Sequence, residues 1–134
     1  MNAPTAYQAY AETAIHSSDP LELTRVLYRT AIDAIQKAVD AFRTGDVRQR
    51  AQQIGRAQQI VAELLSSLNS TNAPELGQQL IRLYEYVLHK LQAGNFEQRA
   101  EPLMEAEAVL RTLLEAWDQC EPTNSQLLSG VTAA

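Results

Sequence analysis

The side chains that could do chemistry are few, and they are scattered. Histidine occurs twice, at His16 and His89. Neither has a Cys, His or carboxylate partner at metal-ligand spacing on its own helix face. Cys120 is the single cysteine, so there is no internal disulfide and no multi-cysteine metal site. It has no basic neighbours to activate its thiol. Glu101, Glu105 and Glu107 crowd one short stretch. Carboxylates at the start of a helix are favoured by its dipole, which explains them without catalysis. There is no glycine-rich phosphate loop and no Glu-x-x-His pair for a di-iron bundle. These residue types predict no enzyme, no cofactor and no metal.

Composition narrows the partners. The chain has 134 residues, a formal net charge of -5 and 20% charged residues. An acidic balance argues against nucleic acid, which demands a basic face. The acidity is concentrated in residues 73–134, with nine Asp/Glu against four Lys/Arg. No run approaches the ~20 apolar residues of a membrane span, and no signal peptide pattern opens the chain. The expectation is a cytoplasmic protein that does not insert into a membrane.

Four helices must position whatever this chain uses. Asp19 caps the first, Pro20 occupies its first position, and Glu22 can reach back to the cap. It runs to about Arg43, where "TGD" (Thr44 to Asp46) breaks it. The second spans about Val47 to Leu68. The third spans about Ala73 to Ala93, with Thr71 or Asn72 as cap and Gly94-Asn95 as stop. The fourth runs from Glu101-Pro102 to about Cys120, before Pro122. The loops are short, so successive helices are antiparallel neighbours. The fold class is all-α: an antiparallel up-down four-helix bundle over residues 19–120. Residues 1–18 form a mobile N-terminal cap segment, and residues 121–134 form a disordered tail.

The apolar faces are wider than one core requires. On the first helix, Leu23, Leu27, Ala31, Ala34 and Ala38 form one stripe. Leu21, Tyr28, Ile32, Ile35, Val39 and Phe42 form another beside it. The second helix carries a face from Val47 and Ala51 through Leu68. Two explanations fit. Each helix of a bundle touches two neighbours, which widens every face; or some apolar surface stays open as grooves for a partner. Gly55 and Gly77, inside helices and near face edges, would let another backbone come close. The groove candidates are Ile54, Ala57, Val61, Leu64, Leu76, Leu80, Leu83 and Tyr84. Some of them belong to the core.

Four stretches in register resemble the FliS family of flagellar export chaperones. They are "DPLELTRVLYRTAI" with the Leu27-Tyr28 pair, "AQQIVAELLSSLN", "LYEYVLHKLQAGN" and "VLRTLLEAW" with Trp117. Asp19 intervenes between the family's usual Ser and Pro, and Thr30 stands where Gly is usual. The resemblance implies a chaperone that holds the disordered C-terminal segment of flagellin, prevents premature polymerisation and delivers it to the export gate. Tyr7, Tyr10 and Ile15 read as a cap, Tyr10 and Ile15 being apolar enough to lie over part of a groove until the partner displaces them, and the resemblance also links this N-terminal region to docking at the gate. The alternative from the residues alone is a histidine phosphotransfer module using His89, followed by Lys90 and Gly94. A third is a plain bundle that forms a homo-oligomer through its surplus apolar surface.

Overall fold

The computed structural model describes residues 20–69 and 75–119. Four helices follow one another: α1 (Pro20–Thr44), α2 (Val47–Asn69), α3 (Glu75–Glu97) and α4 (Glu101–Asp118). Packing runs around the ring, α1 on α2, α2 on α3, α3 on α4, and α4 back on α1. This is the up-down bundle expected from short connections. The proposed caps Asp19, Thr71 and Asn72, the residues Tyr7, Tyr10 and Ile15, His16, Cys120 and the segments 1–18 and 121–134 lie outside the described residues.

The first helix stop is where glycine predicts it. Gly45 takes a left-handed φ of +73°. This lets the Asp46 N–H donate to the Ala41 carbonyl at 2.9 Å and the Gly45 N–H to the Phe42 carbonyl at 3.4 Å. Two orphan carbonyls of α1 are thereby satisfied. The Asp46 carboxylate then accepts from the Gln49 N–H at 3.0 Å and caps α2.

The second stop corrects the sequence expectation. α3 does not end at Gly94-Asn95 but continues to Glu97. Gln98, not a glycine, adopts the left-handed conformation at φ 56°. The Arg99 N–H closes the same kind of turn by donating to the Gly94 carbonyl at 3.2 Å. Gly94 is needed for another reason. A Cβ there would lie 2.6 Å from Leu103 Cδ2 and 2.9 Å from its Cγ, with Leu103 fully buried. The glycine therefore lets α4 begin tight against the last turns of α3. Gly55, by contrast, faces open space, and Gly77 is buried.

The interior is one cluster drawn from all four helices, including Leu27, Ala31, Ile35, Ile60, Leu68, Val87, Leu91 and Leu110. Alternating alanines on α1 (Ala31, Ala34, Ala38) let the neighbouring helices approach closely. The far end of α4 is tied to α1. The Arg25 guanidinium donates to the Trp117 carbonyl at 3.1 Å and meets Asp118 at 3.1 Å. A cation at the last turn suits the helix dipole and satisfies a terminal carbonyl.

Candidate functional site

The eight groove candidates divide sharply. Ile54, Ala57, Val61, Leu64, Leu80 and Tyr84 are buried, so their side chains are core and not an accessible docking surface. The physical reason is that two flanking helices close over the middle of each wide face. Leu76 and Leu83 remain open, at 43% and 36% exposure. Val47 is also exposed, as is Ala51, because the first turn of α2 is not covered along its whole face.

Leu83 belongs to a groove on the outer seam between α3 and α4. It encloses about 270 Å³ and is lined by Leu83, Ala108, Val109, Thr112 and Leu113. No charged side chain lines it. Ala108 and Thr112, one turn apart on α4, are exposed, and Val109 and Leu113, also one turn apart, are half-buried. Val109 and Leu113 are only partly buried. Their partial exposure follows from the seam and not from residue type.

One end of this seam is marked by polar groups. Lys90 Nζ lies 2.7 Å from Glu105 Oε2, and the ammonium sits 5.5 Å from the centre of the Tyr86 ring. The hydrogen bond to Glu105 raises the Lys90 ammonium above its usual range. The same bond lowers the Glu105 carboxyl. Tyr86 is itself exposed. An apolar trough beside a polar rim is the ordinary anatomy of a protein-docking site.

Beneath the seam lies a buried polar contact between aromatic side chains. The Tyr28 and Tyr84 hydroxyls are 2.6 Å apart, and both rings are fully buried. The Trp117 ring centre is 6.3 Å from that of Tyr28. Burial pushes the Tyr28 phenol up to about 12 and Tyr84 well above its ordinary value. Raised phenol pKa values stabilise the fold while the phenols stay neutral. That contribution is fully present below pH ~10 and is lost as pH rises through the folded value near 12. Alkaline titration followed by phenolate absorbance is therefore expected to leave two of the five tyrosines un-ionised until the bundle unfolds. A single step for all five near pH ~10, with helicity intact, would contradict this.

His89 is exposed. Among the described residues, no group of three or more His, Cys, Asp or Glu could hold a metal ion. Among the same residues, no helix is long and apolar enough to cross a membrane.

Comparison with known proteins bears on this geometry. A family model described as "Flagellar protein FliS" matches residues 2–124. The flagellar secretion chaperone FliS of Salmonella typhimurium is 28% identical over 130 residues, covering 93% of this chain and 96% of the relative. That of Campylobacter jejuni is 30% identical over 112 residues, covering 84% and 88%. That of Bacillus subtilis is 28% identical over 113 residues, covering 84% of each.

Proposed function

The chain belongs to the FliS family of flagellar secretion chaperones, and from that membership we propose that it binds the disordered C-terminal segment of flagellin. It is a chaperone and not an enzyme. In this reading it acts in the cytoplasm, keeps flagellin from polymerising too early, and hands it to the export gate.

The observation that carries the reading is the seam between α3 and α4. Leu83, Val109 and Leu113 wall a groove without a charged lining residue, on a chain of net charge -5. A disordered segment can place apolar side chains there at helical spacing. The entropy of ordering the segment is offset only by a long contact surface. Leu76 extends the apolar line along α3, toward its first turn. The six buried candidates belong to the core and, in this reading, do not touch the client.

Residues Tyr7, Tyr10 and Ile15 are proposed as a cap over part of the apolar surface, displaced by the client, or as the docking element for the gate. Isothermal titration with a flagellin C-terminal peptide tests the reading. Binding at micromolar protein should be accompanied by a gain of helicity. A variant lacking residues 1–14 should retain the peptide and lose the gate protein. No heat and no helicity gain would overturn the proposal. No observation favours phosphoryl transfer through His89, and none favours a homo-oligomer over a chaperone of this family.

A further inference from the structure

The arginines of α2 stand without carboxylate partners. Every lysine and arginine of α1 meets a carboxylate, as do Lys90, Arg99 and Arg111. Arg48, Arg50 and Arg56 form no ion pair among the described residues, a state shared there by Arg82 of α3. Glu63 is the one carboxylate of α2, so this helix sets three arginines against a single anion, on a chain of net charge -5. Arg50 is engaged otherwise, with its guanidinium 5.1 Å from the centre of the Phe42 ring. Arg48 is exposed and Arg56 is half-buried. The Arg56 Nε is shielded from solvent and has no hydrogen-bond partner.

The same face has low relief. Residues four apart form a row along a helix. Arg48, Gln52 and Arg56 make one row, and Val47, Ala51, Gly55 and Gln59 make the row beside it. Val47, Ala51, Gln52, Gly55 and Gln59 are all exposed. Glycine inside a helix destabilises it relative to alanine. At Gly94 that cost admits Leu103 of the next helix, but a Cβ at Gly55 would meet no atom of this chain within 4 Å. A low row beside a cationic row is a groove into which a ridge of another helix can pack. Among the described residues, α2 packs on α1 and α3 and makes no contact with α4. Its outer face is therefore separate from the α3–α4 seam.

We propose that the outer face of α2 docks an acidic helix of a partner protein, with an apolar ridge of that helix over Ala51 and Gly55 and its carboxylates at Arg48 and Arg56. Arg48 and Arg56 are about 12 Å apart along the axis, which carboxylates two turns apart on the partner can match. Charge selects this occupant. A second copy docking α2 on α2 would bring arginine against arginine. An anionic bilayer or a nucleic acid would also face the rest of a chain of net charge -5. A single helix covers the cationic strip and little else. Pairs at the rim of such a contact set partner choice and encounter rate more than affinity, so the contact is a weak, salt-sensitive one. The inference stands apart from flagellin binding, because it uses a different face.

The probe is a peptide of repeated Glu-Ala-Ala-Leu units, with its Lys-Ala-Ala-Leu counterpart as control. In a ¹⁵N spectrum of the full chain, the glutamate peptide is expected to shift amides of residues 47–59 and to leave those of residues 83–86 and 108–113 in place. Arg48→Gln combined with Arg56→Gln should weaken binding about tenfold, and added salt should weaken it too. Gly55→Leu should abolish binding while the urea midpoint stays level or rises, since leucine is the better helix former. Lost docking is then not lost folding. No shift, equal binding of the lysine peptide, shifts on the α3–α4 seam, or undiminished binding by either variant overturns the inference. So does binding of phosphatidylglycerol vesicles in place of the peptide, which would make the strip a lipid contact. Self-association of the chain that Gly55→Leu removes also overturns it, since a second copy would then hold the groove. The experiment contains no flagellin, so its failure leaves the proposed function standing.

Discussion

Leu83→Asp is expected to weaken binding of the flagellin segment about 30-fold or more while leaving the bundle folded. Leu83 is 36% exposed on the wall of the seam groove. In the free protein the new carboxylate keeps its water, so stability should change by less than about 1 kcal/mol. In the complex an apolar anchor would have to strip that water with no cation on the groove floor to replace it. A central anchor of this kind contributes about 2 kcal/mol or more to binding, which is the 30-fold above. Val61→Asp gives the informative contrast. From its position on an apolar stripe, Val61 is an equally reasonable anchor, yet it is fully buried. A carboxylate there would be unpaired in the core, at a cost of about 3–5 kcal/mol, and binding would vanish with the fold. Measurement of urea midpoint and peptide affinity on both variants separates the two cases. Unchanged affinity in a folded Leu83→Asp variant would remove the seam from the docking surface.

The largest stability loss outside a buried charge is expected at Trp117. Its ring is buried beside Tyr28, and its carbonyl receives Arg25. Trp117→Ala deletes a large ring from a packed site and is expected to cost about 3–5 kcal/mol. That is a substantial share of the about 5–15 kcal/mol available to a domain. The backbone contact with Arg25 would remain, since it uses the carbonyl and not the ring. Trp117→Phe should lose less, because it keeps most of the apolar volume. Helicity followed through a urea titration is the proper readout, since Trp117 is the sole tryptophan. A loss below about 1 kcal/mol for the alanine variant would show that the last turn of α4 contributes little to the core.

The two stops of α1 and α3 show how far local signals reach. Gly45 marks its stop because the backbone there needs a positive φ, which glycine adopts without strain. Gly94-Asn95 looks equivalent in the sequence. There the glycine answers a different demand, the closeness of Leu103 from the next helix, and Gln98 takes the left-handed position four residues on. One residue type serves two physical needs, and only the second depends on a neighbour distant in the chain. The same distinction separates Leu80 from Leu83. Both are leucines on the apolar side of α3, but Leu80 is covered and Leu83 lies at the outer seam.

The sequence by itself determined the helices, their order and the width of their apolar faces. Side-chain periodicity is local, and short connections allow few arrangements. The motifs also carried the likeness to a chaperone family, which the comparisons establish over residues 2–124. Only the tertiary structure decided which apolar side chains are core and which are surface. A residue's angle around its own helix is written in the sequence, but the covering of that angle is supplied by the neighbouring helix. Six of eight candidate groove residues are buried by that covering, while Leu76 and Leu83 stay open. Val109 and Leu113, from another helix, complete the groove.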